Sequence, residues 1–316
     1  MRRTTVAAPF VFLVAALGVA VAALGAGCGG SSSSASETAS TAESPAAGTL
    51  EALWRAPGED VAVVAGTSDH EVGANRVSFL VVDKQSRLVE RPTARVWVSR
   101  GLKQRPFATG TARLESIGVP GGSTADDVGG VYVTTIAASR PGTYWFLAEP
   151  VGGRKVQALG TVVVRRKSTA PSVGDRALAT TTPTLTSTRG KLAELTTSRT
   201  PDRALYERSI AQAVAAKEPF VVTFATPQFC QTRTCGPGVE VVSAVRKRSA
   251  SRGVRFIHVE IYTDNDPAKG VNRWVKEWRL PTEPFTYVVD RGGVIRTKLE
   301  GAFSVRELAR GVTRVR

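Results

Sequence analysis

From about residue 59 to residue 166 the chain alternates short runs of branched and aromatic residues with turn residues. DVAVVAG, NRVSFLVVD, ARVWVSR, GGVYVTTIAAS, GTYWFLAE and ALGTVVVRR follow one another, with Gly, Pro, Asp and Ser in the gaps. No stretch there keeps a helical period, so each run predicts a strand and the set predicts an antiparallel β-sandwich. Beyond residue 201 the rhythm changes. PDRALYERSIAQAVAAK sets Ala204, Leu205, Ile210, Ala211 and Val214 at helical spacing behind a Pro201-Asp202 start signal. PFVVTFAT is apolar between Pro219 and Pro227 and suits a strand buried on both faces. VEVVSAVRKRSASR predicts a helix closed by Gly253, with Arg246, Lys247, Arg248 and Arg252 near its negative end. VRFIHVEIY follows as a strand, PAKGVNRWVKEW as a helix, FTYVVD and VIRTKLEG as a hairpin about Arg291-Gly292-Gly293, and SVRELARGV as a terminal helix. The order αβαβαββα predicts one sheet with helices on both faces.

Two stretches lack this patterning. Residues 28–49 are Ser, Ala, Thr and Gly with few apolar groups, and predict a tether that cannot repay the entropy of ordering. Residues 167–201, KSTAPSVGDRALATTTPTLTSTRGKLAELTTSRTP, predict a long connector with at most short local structure. The expected organisation is therefore an export segment at 1–27, the tether, a sandwich at 50–166, the connector, and a second domain at 202–316. A chain of 316 residues, 42% hydrophobic and 22% charged, is long enough for two such cores.

The formal net charge of +15 would raise nucleic acid as a partner in a cytoplasmic protein. The N-terminus argues for another compartment and so against that partner. MRRTTVAAPFVFLVAALGVAVAALGAGCGG carries Arg2 and Arg3, then an apolar stretch, then Gly-Ala-Gly before Cys28. It resembles a bacterial lipoprotein signal, in which the cysteine of a Leu-x-Gly-Cys box is lipidated, although Leu24 sits one position early and Gly25 takes its place. Lipidation at Cys28, an uncleaved anchor and plain secretion all put the rest of the chain outside the cytoplasm. The basic excess then suits a surface facing anionic lipid or cell wall, or simply solubility.

With Cys28 assigned to the signal, Cys230 and Cys235 are left as one close pair where disulfides can persist. They stand in FCQTRTCGP, after the strand PFVVTFAT and before a helix-starting Gly236-Pro237. This order, with a cysteine pair between a first strand and its following helix, resembles the thioredoxin fold over residues 202–316. Phe224 followed by ATPQFC is similar to the strand end Phe-x-Ala-x-Trp-Cys, with Phe229 in the Trp position. LPTEPFTYVVD is similar to the loop carrying the family's cis-proline, making Pro284 the candidate and Glu283 its predecessor. The resemblance implies Cys230 as attacking thiol, Cys235 as resolving thiol, and Pro284 holding substrate backbone against the sulfurs. The chain departs from the family in two respects: the spacing is Cys-x4-Cys, and the assisting buried acid falls at Thr223. In the first region PGTYWFLA resembles the late strand of immunoglobulin-like sandwiches, where a Tyr near the strand start anchors a corner. Tyr144, Trp145 and Trp97 are expected in packing rather than in ligand binding.

Three functions follow from the cysteine pair. A cysteine at a helix N-terminus is favoured as thiolate, the reactive form, so the first expectation is a thiol-disulfide oxidoreductase acting on exported protein thiols or with a membrane redox partner, with no cofactor or metal. The second is a binding adaptor whose disulfide is a staple, although closing so small a loop contributes only ~2 kcal/mol. The third is a copper carrier of the Sco type, which pairs two thiolates with an imidazole. The histidines are His70 and His258, and an inward His258 in VRFIHVEIY reads as a core histidine. Asp264, Asn265 and Asp266 do not have calcium-loop spacing, and Pro267 fits a helix start there. Trp274 and Trp278, four apart, are expected in the core.

Overall fold

The computed structural model describes residues 44–119, 129–229, 237–249 and 253–315, so Cys28, Cys230 and Cys235 lie outside the described residues. The first region forms β1 Glu59–Ala65, β2 His70–Glu71, β3 Gly73–Val82, β4 Thr93–Ser99, β5 Ala108–Ser116, β6 Gly130–Ala138, β7 Gly142–Pro150 and β8 Val156–Arg165. A short helix, α1 Leu50–Trp54, precedes them, capped by the Thr49 hydroxyl and packed on β4, β7 and β8.

The expected sandwich is corrected in its closure. The strands pair in the order β1-β3-β6-β5-β4-β7-β8, and a parallel pairing of β1 with β8 closes them into a seven-stranded barrel. The closure comes from β1 changing partner along its length: Glu59 to Ala62 lie against β8, and Ala62 to Ala65 against β3. Alternation in sequence tells which residues face inward, but not which edges meet. β2 adds a parallel pair outside β8.

Inward residues alternate along each strand, as in Val77, Phe79 and Val81 of β3 or Tyr144, Phe146 and Ala148 of β7. Phe79 packs on Tyr132 and Phe146 with ring centroids 5.6 and 5.1 Å away. Gly160 makes room for that cluster, because a Cβ there would meet Phe146 at 2.6 Å. Tyr144 anchors the corner before β7, its hydroxyl donating to the Arg140 carbonyl at 2.9 Å. Trp97 and Trp145 are only half-buried.

The second region forms a four-stranded sheet of β9 Phe220–Phe224, β10 Arg255–Val259, β11 Phe285–Val289 and β12 Ile295–Glu300, ordered β10-β9-β11-β12. β9 and β10 run parallel, while β11 is antiparallel to both β9 and β12. Helices α2 Ile210–Ala215, α3 Pro237–Ser249, α4 Arg273–Glu277 and α5 Val305–Thr313 cover it. Strand alternation assigns the faces: Val221 and Val288 pack with α3 and α5, while Phe220, Val222, Phe285 and Tyr287 pack with α2 and α4. The fully buried Trp278 sits on the second face, against Phe224 and Tyr287.

Two expected helices are broken by caps that the periodicity does not reveal. Residues 201–217 split into a 3-10 turn, Arg203–Tyr206, and α2, because Ser209 and Gln212 form a capping box that starts a new helix. Residues 267–278 split likewise, into a 3-10 turn, Pro267–Lys269, and α4. There Gly270 turns the chain at φ +70° and Asn272 caps the second piece. Gly253 takes the left-handed conformation after α3, at φ +66°.

Barrel and second sheet belong to one compact unit, Ser44–Arg316, joined by a polar seam. The Glu300 carboxylate accepts from the Ser68 and Asp69 amides, the Ser68 hydroxyl and the Thr282 hydroxyl, at 2.8 to 3.1 Å. Asp69 pairs with Lys298 at 2.8 Å and accepts from the Thr169 and Ala170 amides and the Ser168 hydroxyl. Arg76 forks onto Glu307 and donates to the carbonyls of Glu300 and Ala302. Glu115 accepts from Ser304 and Arg306. At the crossing, Gly301 has φ +69°, and a Cβ there would stand 2.2 Å from the Gly66 carbonyl oxygen.

The connector at 167–201 holds one 3-10 turn, Leu192–Glu194, yet Ser168, Ala170, Ser172, Thr180, Thr182, Thr184, Leu195 and Thr196 are buried. It lies on the second sheet, where Thr180 receives the Trp278 indole N–H and donates to Glu277. Among the described residues no helix is long and apolar enough to cross a membrane.

Candidate functional site

The site is built where β9 and β10 end. In open sheets with parallel strands, ligands gather outside the carboxyl ends of those strands. All five residues of β9 are buried, and the chain leaves it through Ala225, Thr226 and Pro227 to reach Phe229, the residue before Cys230. It is described again from Pro237, the first residue of α3, whose next residue Gly238 lies against the Pro284 ring: a Cβ on Gly238 would stand 3.9 Å from Pro284 Cγ. The Glu283-Pro284 peptide is cis, and Pro284 is buried. The sequence thus places Cys230 and Cys235 between two described ends, one beside Thr226 and one beside Pro284.

Two carboxylates converge on this end of the sheet. Glu283 accepts from the Thr226 amide at 3.2 Å. Burial pushes its carboxyl up to about 7 against that hydrogen bond, and the charge of Glu260 adds to the rise. Glu260, buried just past β10, accepts from the Thr197 amide and hydroxyl at 2.6 and 2.9 Å. Thr197 in turn accepts from the Gln228 amide at 3.1 Å, so the connector reaches the segment next to Cys230. Asn272 fixes the turn by donating to the Glu260 carbonyl at 2.6 Å. Tyr262 stands edge-on to Phe229 at 6.4 Å, with its phenol raised by burial and by Glu283.

The two ring nitrogens of His258 bond outside this group. Its Nε2 donates to the Ala225 carbonyl at 3.0 Å, which leaves Nδ1 to accept from the Tyr206 hydroxyl at 2.7 Å. Both nitrogens are engaged, and burial holds the ring below its ordinary pKa in the neutral form. Among the described residues no group of three His, Cys, Asp or Glu side chains could hold a metal. At the position of the family's assisting acid, Thr223 shares a hydrogen bond of 2.7 Å with Thr286 across β9 and β11.

Sequence reasoning named Pro284 and noted Glu283 only as its predecessor. It missed Glu283 and Glu260 as a pair. The available signal was an acid beside the cis-proline candidate, and a second acid ending a strand that is otherwise almost wholly apolar.

No protein-family model and no curated protein matches the chain. Among solved structures, the chain is similar to a protein described as the thiol:disulfide interchange protein DsbE from Chlorobium tepidum, at 12% identity and TM-score 0.32, over 46% of this chain and 97% of that one. A thiol:disulfide interchange protein of the thioredoxin family from Chlorobium tepidum TLS matches at 17% identity and TM-score 0.27, over 44% of this chain and 99% of that one. The Lin-41 filamin domain matches at 11% identity and TM-score 0.19, over 35% of this chain and 96% of that one. These are thioredoxin-family and filamin likenesses at low similarity.

Proposed function

We propose that this chain is a thiol-disulfide oxidoreductase, exported, tethered to the membrane through lipidated Cys28, and acting on protein thiols through Cys230 and Cys235. The observation that carries the reading is the Pro284 loop packed beside the first turn of α3, with the neighbouring Glu283 carboxyl raised to about 7 at the end of β9.

In the reducing direction, the Cys230 thiolate attacks one sulfur of a substrate disulfide. That S–S bond breaks, a mixed disulfide forms, and the first substrate sulfur leaves as a thiolate that takes up a proton. The Cys235 thiolate then attacks the Cys230 sulfur, releasing the second substrate thiol and leaving Cys230 and Cys235 oxidised. The oxidising direction is the reverse. A carboxyl with pKa about 7 can take or return a proton at neutral pH, which suits Glu283 to the role that Thr223 cannot fill. The α3 N-terminus favours the thiolate form of a sulfur brought to it.

The test is trapping. A Cys235→Ser variant should accumulate mixed disulfides between Cys230 and partner proteins, resolved by reductant and absent when Cys230 is also Ser. Titration of the pair in redox buffers should give a midpoint at or above about −270 mV. A midpoint below about −300 mV, with nothing trapped, would instead mark a structural bond in a binding adaptor.

A further inference from the structure

The connector reaches the candidate redox site through Thr197, a residue that lies before the region 202–316. Its hydroxyl donates to Glu260 Oε1 at 2.9 Å, and its backbone amide donates to the same oxygen at 2.6 Å. A hydroxyl has one proton to give. With that proton committed to Glu260, the lone pairs of Thr197 Oγ1 are left to accept, and they accept from the Gln228 amide at 3.1 Å. Gln228 stands two residues before Cys230 and is exposed.

The frame around Thr197 is anchored on both sides. In the connector, Leu195 is packed with Leu205, Tyr206 and Val221, and the Asn265 side chain donates to the Ala193 carbonyl at 2.9 Å. On the sheet, Glu260 is 5% exposed, and Asn272, the cap of α4, donates to its carbonyl at 2.6 Å. The Asn272 amide in turn donates to the Ile261 carbonyl at 2.9 Å. The bond to Gln228 is thus the point at which a buried frame meets an exposed turn. Such a bond adds little to overall stability, because water can replace either partner. What it does fix is the backbone direction just ahead of a nucleophile, where a misplacement of about 1 Å can change a rate by ~100-fold.

We propose that Thr197 is a positioning residue of the redox site: aimed by Glu260, its hydroxyl holds the Gln228 amide and so fixes the backbone that leads to Cys230. The connector is then part of the site and not a spacer. The inference rests on the oxidoreductase reading, and the bond is measured apart from the chemistry so that the two can fail separately.

The test uses the full chain, reduced, as the parent, as Thr197→Val, which keeps the shape without the hydroxyl, and as Thr197→Ser, which keeps the hydroxyl. Hydrogen exchange of the Gln228 amide, followed by NMR, reports the bond, and the rate of reaction with oxidised glutathione reports the thiol chemistry. Thr197→Val should speed the amide exchange and slow the glutathione reaction, each by about tenfold. Thr197→Ser should stay within about twofold of the parent in both, a rescue that loss of packing alone would not give. Thr197→Ala serves if a valine methyl beside Glu260 prevents folding. A glutathione rate unchanged in Thr197→Val, or a Thr197→Ser variant as slow as Thr197→Val, would overturn the positioning role. A parent inert towards glutathione, with the Gln228 amide freed in Thr197→Val and held in Thr197→Ser, would overturn the redox reading and leave Thr197 as the holder of that backbone.

Discussion

Asp69 and Glu283 stand at two places along the contact between barrel and second sheet, and their acidities differ widely. Burial raises both. At Asp69 the hydrogen bonds from Lys298, Ser168 and Thr169, with the charge of Lys298, outweigh it and hold the carboxyl at about 2. At Glu283 burial prevails, the charge of Glu260 adds to it, and the carboxyl stands at about 7. Asp69 is the more deeply buried of the two, yet it becomes the fixed anion while the half-buried Glu283 becomes a titrating acid. The difference lies in what each desolvated charge faces. The seam spends its carboxylates on holding two sheets together, whereas the cis-proline loop keeps one available for protons.

The largest test of that contrast is Asp69→Ala, which strands the Lys298 ammonium among buried groups and should cost about 3–5 kcal/mol in denaturant unfolding followed by circular dichroism. A loss below about 1 kcal/mol would mean that the seam is not what binds the sheets. In the unaltered protein, Asp69 has a folded pKa below its ordinary 3.8, so its contribution is complete above that pH and is lost as pH falls towards 2. Gly301→Ala attacks the same contact through backbone alone. With φ +69° and the Gly66 carbonyl at 2.2 Å from the new Cβ, it should cost about 2–3 kcal/mol.

Glu283→Gln sharpens the other side. A carboxyl raised from 4.5 to about 7 favours folding most below pH 4.5, and that benefit is lost as pH rises through 7. The Gln variant should therefore be flat over this window and more stable than the parent at pH 8, by on the order of 1 kcal/mol after solvent screening of a half-buried group. A parallel pH dependence in the two proteins would assign the titration elsewhere. The smallest effect is expected inside the barrel, away from both carboxylates. Tyr144→Phe loses the corner hydrogen bond to Arg140 and should cost about 0.5–1 kcal/mol, adding independently to the effect of Asp69→Ala.

The second sheet was the more legible part of the fold. PFVVTFAT and FTYVVD are buried on both faces, so their apolar runs carry the whole signal, and β9 and β11 lie where those runs stand. The helices were legible as apolar stripes but not in their breaks, because Ser209 and Asn272 act through local side-chain caps that periodicity does not register. Barrel closure depends on a partner change within β1, which is a long-range fact. Pro284 could be named from its motif. The raised pKa of Glu283 could not, since it arises from burial of the folded loop, with the charge of Glu260 adding to it. The connector was expected to hold at most short local structure and holds one 3-10 turn, but its composition does not register that Thr180, Thr182 and Thr196 are buried and hydrogen-bonded.

That connector also guards an edge. β12 is the outermost strand of its sheet, and an uncovered outer strand is a template on which other chains can polymerise. Gly174 and Ile295 exchange with the opposing backbone at 2.9 Å, as the Ile295 carbonyl accepts from Gly174 and the Ile295 amide donates to Asp175, while Ala177 donates to Gly293 at 2.8 Å. The first part of that outer strand is therefore already occupied from within the same molecule. A fragment trimmed to begin at residue 202 would look like a tidy unit on paper, yet would present the bare strand to its neighbours and should aggregate, whereas one that keeps residues 167–201 should stay in solution.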